Sequence, residues 1–202
     1  SLQIEDVIIR HCEIMDRNDP EKHVALMLDE WGTWWDEEPG TVSGHLYQQN
    51  TMRDAMVAAL TLNIFHKYTD RIKMANIAQV VNVLQSMILT DTEGTGHMVL
   101  TPTYHVFKMY APFQNATCIP LDIQTATRDV EGGKMAQMHE GSVPFVSATA
   151  AITPSGTTVI ALANTSLTET QQVNIDLGTP NAKTVSGEML TARHVGDFND
   201  FE

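Results

Sequence analysis

Residues 24–28, Val24-Ala-Leu-Met-Leu28, form an uninterrupted apolar run between His23 and Asp29. The run is too short for a helix and is bounded by polar residues, so it reads as a strand buried on both faces, the kind found in parallel sheets. Asp29 and Glu30 fall at its C-terminal end, followed closely by Trp31, Trp34 and Trp35. In a barrel of parallel strands that end is where catalytic groups collect, because the strand fixes the side chain while the next loop shapes the pocket. Aromatic faces beside a carboxylate also suit the apolar C–H face of a furanose or pyranose ring. A plainer arrangement fits the same residues: Asp29 and Glu30 start a solvated loop or cap a helix, and Trp34 and Trp35 close over a core.

Four ordered segments narrow the choice: Leu28-Asp-Glu-Trp-Gly-Thr-Trp-Trp35, Arg53-Asp-Ala-Met-Val-Ala-Ala-Leu60, Arg71-Ile-Lys-Met-Ala-Asn-Ile-Ala-Gln-Val-Val-Asn-Val83 and Thr101-Pro-Thr-Tyr-His-Val-Phe107. In order and spacing they resemble the C-terminal part of the α-L-arabinofuranosidases of glycoside hydrolase family 51, and the resemblance fades to general pattern beyond about Pro120. It implies that Glu30 is the catalytic nucleophile at the end of the seventh barrel strand, that Gln79 contacts bound arabinose, and that Trp34 lies near the sugar subsite. The implied reaction is retaining hydrolysis, in which one carboxylate attacks the anomeric carbon while a second protonates the leaving oxygen and later activates water. The implied substrates are arabinose-bearing oligosaccharides of the arabinan or arabinoxylan type, and no cofactor is implied.

That second carboxyl has no match here. In the family it is a Glu preceded by Asn on the fourth strand, far upstream of the nucleophile. The resemblance therefore implies a piece cut at both ends, which by itself is expected to be inactive. The expected fold is mixed α+β: a C-terminal fragment of a (β/α)8 barrel over residues 1–113, about two strands with their helices, then an antiparallel β-sandwich over 114–202 lacking its last strands. A different class of function stays open, a non-catalytic carbohydrate-binding or scaffolding module built on the sandwich. Two barrel strands without the others leave open edges and an apolar face. The N-terminal half is thus expected either to pack on the sandwich in a non-barrel arrangement or to hide its edge in a homo-oligomer.

Charge narrows the partners. A net charge of −13 with twelve basic residues disfavours nucleic acid or an anionic membrane, which need clustered Lys and Arg, and leaves a neutral glycan compatible. The longest apolar stretch, residues 55–65 with interruptions, is well short of the roughly twenty residues that span a bilayer. Compartment stays open. Cys12 and Cys118 have no metal-type or redox spacing and read as two buried thiols. The eight histidines make no zinc pattern, since His97 and His105 are separated by a proline and no cysteine is near, so no metal site is expected. His45 sits in the loop after the tryptophans, where it either lines the sugar pocket or faces solvent. Asp36, Glu37 and Glu38, in a loop bounded by Pro39-Gly40, are expected to face water rather than to supply a second catalytic carboxylate.

Along the chain, Ile4, Val7, Ile8, His11, Cys12 and Met15 recur at helical spacing, which predicts a helix over 2–16 ended by Asp19-Pro20. Thr51 with Asp54 forms a capping-box pattern ahead of a largely buried helix running toward Lys67. Residues 72–75 read as the next buried strand, with 76–79 at its C-terminal end. Residues 80–89 are ambiguous, 90–97 are a loop, 98–100 a short strand, and Thr101-Pro102 starts a helix over 104–110 stopped by Ala111-Pro112. A boundary near 112–115 then leads into alternating strand patterns at 118–123, 143–152, 157–163, 173–177 and 183–190, punctuated by Gly132-Gly133, Pro154-Ser-Gly156, Asn164-Thr165 and Gly178-Thr-Pro180.

Overall fold

The computed structural model describes residues 3–91, 93–130, 141–178 and 184–201. Helix α1 (Ile4–Asn18) ends where Asp19 turns the chain. The Asp19 carboxylate accepts the backbone N–H groups of His23 and Val24 at 3.1 and 2.8 Å, steering the chain into strand β1 (Leu26–Trp31). Helix α2 (Met52–Lys67) then crosses over to strand β2 (Ile72–Ile77), which pairs parallel with β1. A loop carries the chain to a hairpin of β3 (Ile88–Thr90) and β4 (Met98–Leu100), then to helix α3 (Pro102–Tyr110) and a 3-10 turn (Ala111–Phe113).

Both helix starts behave as their sequences require. At α2, the Thr51 side chain accepts from Arg53 N, and the Asp54 carboxylate accepts the Thr51 N–H at 2.8 Å, the reciprocal capping box. At α3, Thr101 caps with Pro102 at the first helical position. The core forms where the helices cover one face of β1–β2. Trp31 sits in its centre, edge-on to Phe65 of α2 at 5.3 Å and stacked with Phe107 of α3 at 5.9 Å, among Ile8, Ile64, Ile72, Ile77 and Val106. Below the strands, the buried Arg71 guanidinium binds Asp16 and Asp19 and donates to the Val24 carbonyl at 3.0 Å, tying the end of α1 to the start of β2.

The expectation of strands buried on both faces is corrected. In β1 the side chains alternate, with Met27 47 % exposed and Leu28 packed against the core; Met74 of β2 is 41 % exposed. Helices cover one face of these two strands, and the other lies open among the described residues. The strands also run further than expected, past Glu30 in β1 and through Asn76 in β2. The ambiguous 80–89 segment is mostly irregular backbone, strand only from Ile88.

Beyond the 3-10 turn the chain is antiparallel. Strand β8 (Val146–Ile152) lies between β5 (Thr117–Ile119) and β9 (Thr158–Asn164), while β6 (Thr127–Val130) pairs with β7 (Gly141–Pro144). The single run expected over 143–152 is split at Phe145 between two sheets, and β6, too polar to be noticed, was not anticipated. The strands expected over 173–177 and 184–190 do not form. Ile175 is 53 % exposed and Val185 89 %, because alternation makes a strand only where a neighbour completes the ladder. Gly132-Gly133, Thr179-Pro180 and Lys183 lie outside the described residues.

The three-stranded sheet packs on α2, not on the open face of β1–β2. Asn63 donates to Ser147 Oγ at 3.0 Å, His66 Nδ1 meets Thr149 Oγ1 at 3.1 Å, and Tyr110 donates its hydroxyl to Asn63 Oδ1 at 2.6 Å. Cys12 and Cys118 are free thiols, both partly buried, and Cys118 donates to the His66 carbonyl at 3.2 Å. None of the described helices is long and apolar enough to cross a membrane.

Candidate active site

Glu30 owes its exposure to a shift in pairing register. Between the Leu28↔Ala75 and Trp31↔Ile77 pairs, β1 advances three residues while β2 advances two. The extra residue lets both Leu28 and Trp31 turn toward the helices, so that Asp29 and Glu30 both fall outside the core at the strand's C-terminal end. Without it, strict alternation would place either Leu28 or Trp31 on the wrong side.

Gln79 lies at the same end of the neighbouring strand. The Ala78 N–H donates to the Trp31 carbonyl at 2.9 Å, extending the parallel pairing past Ile77, and Gln79 follows, exposed, with its backbone N–H on the Val83 carbonyl at 3.1 Å. Glu30 and Gln79 thus share one edge of a parallel pair, the edge the sequence reading assigned to them.

Trp34 stands apart. It is 70 % exposed and lines a cleft of about 310 Å³ with Ile4, Trp31, Gly32, Thr33, Trp35, Val57 and Thr61, a wall that includes neither Glu30 nor Gln79. The three tryptophans separate by environment: Trp31 is core, Trp35 is held by hydrogen bonds, and Trp34 is exposed.

What holds the 32–35 loop is a set of buried polar side chains that sequence reasoning passed over. Gln85 accepts the Thr33 N–H at 2.9 Å and donates to the Asp54 carbonyl at 2.7 Å; Gln48 accepts the Trp35 N–H at 2.9 Å. The Asp54 carboxylate accepts the Thr33 hydroxyl and the Trp35 indole N–H, both at 2.8 Å. Arg53 stacks 3.8 Å from the Trp35 ring centroid, where a guanidinium is attracted by the π face. Gly32, at φ +148°, starts the loop; a Cβ there would press on the Gln85 side chain at 3.3 Å and the Ala78 carbonyl at 3.4 Å. The capping pattern at Thr51 and Asp54 was the one signal in sequence that pointed at this network.

The acidic loop is corrected in part. Glu37 is half-buried and accepts the backbone N–H groups of Leu46 at 2.9 Å and Gly44 at 2.7 Å, which hold its carboxyl below the usual range and make it fasten the loop as well as meet water. Both contacts tie Glu37 to its own loop, and it is not among the residues that line the cleft. His45 is exposed in the same loop, outside the residues that line the cleft. Among the described residues no group of three or more His, Cys, Asp or Glu is placed to hold a metal.

Sequence relatives match the chain along its whole length. The family described as the alpha-L-arabinofuranosidase C-terminal domain matches residues 29–202. An intracellular exo-alpha-L-arabinofuranosidase from Bacteroides ovatus is 56 % identical over 201 residues, which cover 100 % of this chain and 37 % of that protein. Among solved structures, the GH51 arabinofuranosidase from Xanthomonas axonopodis pv. citri superposes with a TM-score of 0.70 at 49 % identity, over 80 % of this chain and 30 % of that one. The arabinose complex of the alpha-L-arabinofuranosidase from Thermotoga maritima gives 0.64 at 25 % identity, over 80 % of this chain and 33 % of that one. The chain therefore spans about a third of the length of these relatives, and within them it belongs to the family of alpha-L-arabinofuranosidase C-terminal domains.

Proposed function

We propose that these residues are the C-terminal portion of a retaining α-L-arabinofuranosidase that removes terminal α-L-arabinofuranosyl groups from arabinan- or arabinoxylan-type oligosaccharides. The observation that carries this reading is the placement of Glu30 and Gln79 at the C-terminal edge of two adjacent parallel strands, the edge where barrel enzymes gather their catalytic groups. Residues 1–113 then contribute two strands of an eight-stranded barrel, with the open face of β1–β2 turned to its interior, and residues 114–202 form part of a β-sandwich.

In this mechanism the Glu30 carboxylate attacks the anomeric carbon and forms a glycosyl ester as the bond to the leaving oxygen breaks. Water then cleaves the ester with retention of configuration. Gln79 hydrogen-bonds the sugar hydroxyls beside it, and Trp34 offers a ring face to the sugar. The proton for the leaving oxygen comes from a carboxyl upstream of this segment, so the 202 residues alone do not turn over substrate. No cofactor takes part. Without the neighbouring strands, the open edges of β1–β2 pair chain with chain, and the isolated segment is a homo-oligomer.

One observation favours a second reading: the tryptophan-lined cleft contains no carboxylate, as a module that binds glycans without cleaving them would have it. Kinetics on a polypeptide extended upstream to the length of the relatives decides between them. Glu30→Gln abolishes release of nitrophenol from an aryl α-L-arabinofuranoside if the enzyme reading holds. Undiminished release leaves the binding module.

A further inference from the structure

Asp54 is 0 % exposed, yet its carboxylate does more than cap a helix. One oxygen, Oδ2, takes the Thr51 N–H at 2.8 Å and the Thr51 hydroxyl at 3.3 Å, and lies 3.5 Å from an Arg53 nitrogen. The other, Oδ1, takes the Thr33 hydroxyl and the Trp35 indole N–H. These two donors flank Trp34 on either side in sequence. From this division of labour we infer that Asp54 is a positioning residue for sugar binding: through the Thr33 hydroxyl and the Trp35 indole held by its Oδ1, it fixes the loop that presents Trp34.

The chemistry explains why a carboxylate is needed. Thr51 N–H, Trp35 N–H and the arginine can only donate, so the group between them must accept on both oxygens. An asparagine has one accepting oxygen and one donating nitrogen. Turned toward Thr51 it faces Trp35 donor to donor; turned toward Trp35 it abandons the cap. A substitution at 54 therefore reaches Trp34 by way of hydrogen bonds, with no change in any residue that touches the sugar. Gln85 strengthens the coupling, since it bridges the Asp54 carbonyl and the Thr33 N–H.

The inference rests on the proposed sugar-binding role of Trp34, and the test separates the two. In the isotope-labelled 202-residue chain, Asp54→Asn moves the Trp35 indole N–H resonance upfield and shifts the Trp34 backbone and indole signals. Thr51→Ala weakens the cap, lowers the unfolding midpoint and leaves the Trp34 signals where they were. In the upstream-extended enzyme, Asp54→Asn raises KM for an aryl arabinofuranoside about tenfold, the size of one lost charge-assisted hydrogen bond, with kcat nearly unchanged. An Asp54→Asn variant that unfolds more easily while leaving both the Trp34 signals and KM unaltered would overturn the positioning role. Shifted Trp34 signals with an unaltered KM would overturn the link to sugar binding, whatever Glu30→Gln does to turnover.

Discussion

The amide oxygen of Gln85 accepts the backbone N–H of Thr33 at 2.9 Å, joining the loop after β1 to a residue 52 positions away. Gln85 is fully buried, and its nitrogen donates to the Asp54 carbonyl at 2.7 Å and to Thr103 at 3.2 Å, so one side chain satisfies three groups from three elements. Gln85→Ala leaves the Thr33 N–H without its partner, takes a second donor from the Asp54 carbonyl and opens a cavity. The expected loss is about 3 kcal/mol of unfolding free energy, read from urea denaturation, because each orphaned buried polar group costs on the order of 1–3 kcal/mol. Gln85→Glu keeps the shape but supplies no donor for Asp54, and it is expected to be no more stable than the alanine variant.

Acid sensitivity follows from Asp19. The Val24 N–H, then Arg71, hold its carboxyl down at about 2. The unfolded value is near 3.9, so this contribution to stability is fully present above about pH 4 and is lost as the pH falls toward 2. Asp19→Asn removes the titration: the variant is less stable at neutral pH, and its stability changes less between pH 4 and pH 2. Parallel denaturation curves for the two proteins across that window would contradict the assignment.

His66 works in the opposite direction from a cation in an ion pair. Burial against Tyr110 and Phe113, with ring centroids at 5.9 and 5.0 Å, pushes its pKa below the ordinary value. The unfolded imidazole takes up a proton below about pH 6.5 while the folded one stays neutral, so stability is full above that pH and declines below it until the folded pKa is reached. His66→Gln is expected to flatten this slope, and a nuclear magnetic resonance titration should place the His66 midpoint below the ordinary histidine value of about 6.5.

Much of the first half was legible because local rules and tertiary demands agree there. Thr51 with Asp54 marked the start of α2, Thr101-Pro102 marked α3, and a short apolar run ending in Asp29-Glu30 located β1 to within three residues at either end. Other features belong to pairing and not to any window of sequence. The register shift that exposes both Asp29 and Glu30 exists only against β2, and the loop-holding role of Gln48, Asp54 and Gln85 exists only once distant segments meet. The 173–177 stretch failed for the complementary reason: Val173, Ile175 and Leu177 alternate as a strand should, but no strand among the described residues runs beside them.

The central claim is that the Glu30 carboxylate bonds covalently to an arabinofuranosyl carbon, and intact-mass and peptide mapping test it most directly. The upstream-extended enzyme is treated with a fluorinated arabinofuranosyl inactivator that forms the ester quickly and loses it slowly. The account predicts one added glycosyl group, on the peptide containing Glu30, and none on the Glu30→Gln variant. A stable label on any other carboxylate, or a Glu30→Gln enzyme that still accepts the label, would contradict it.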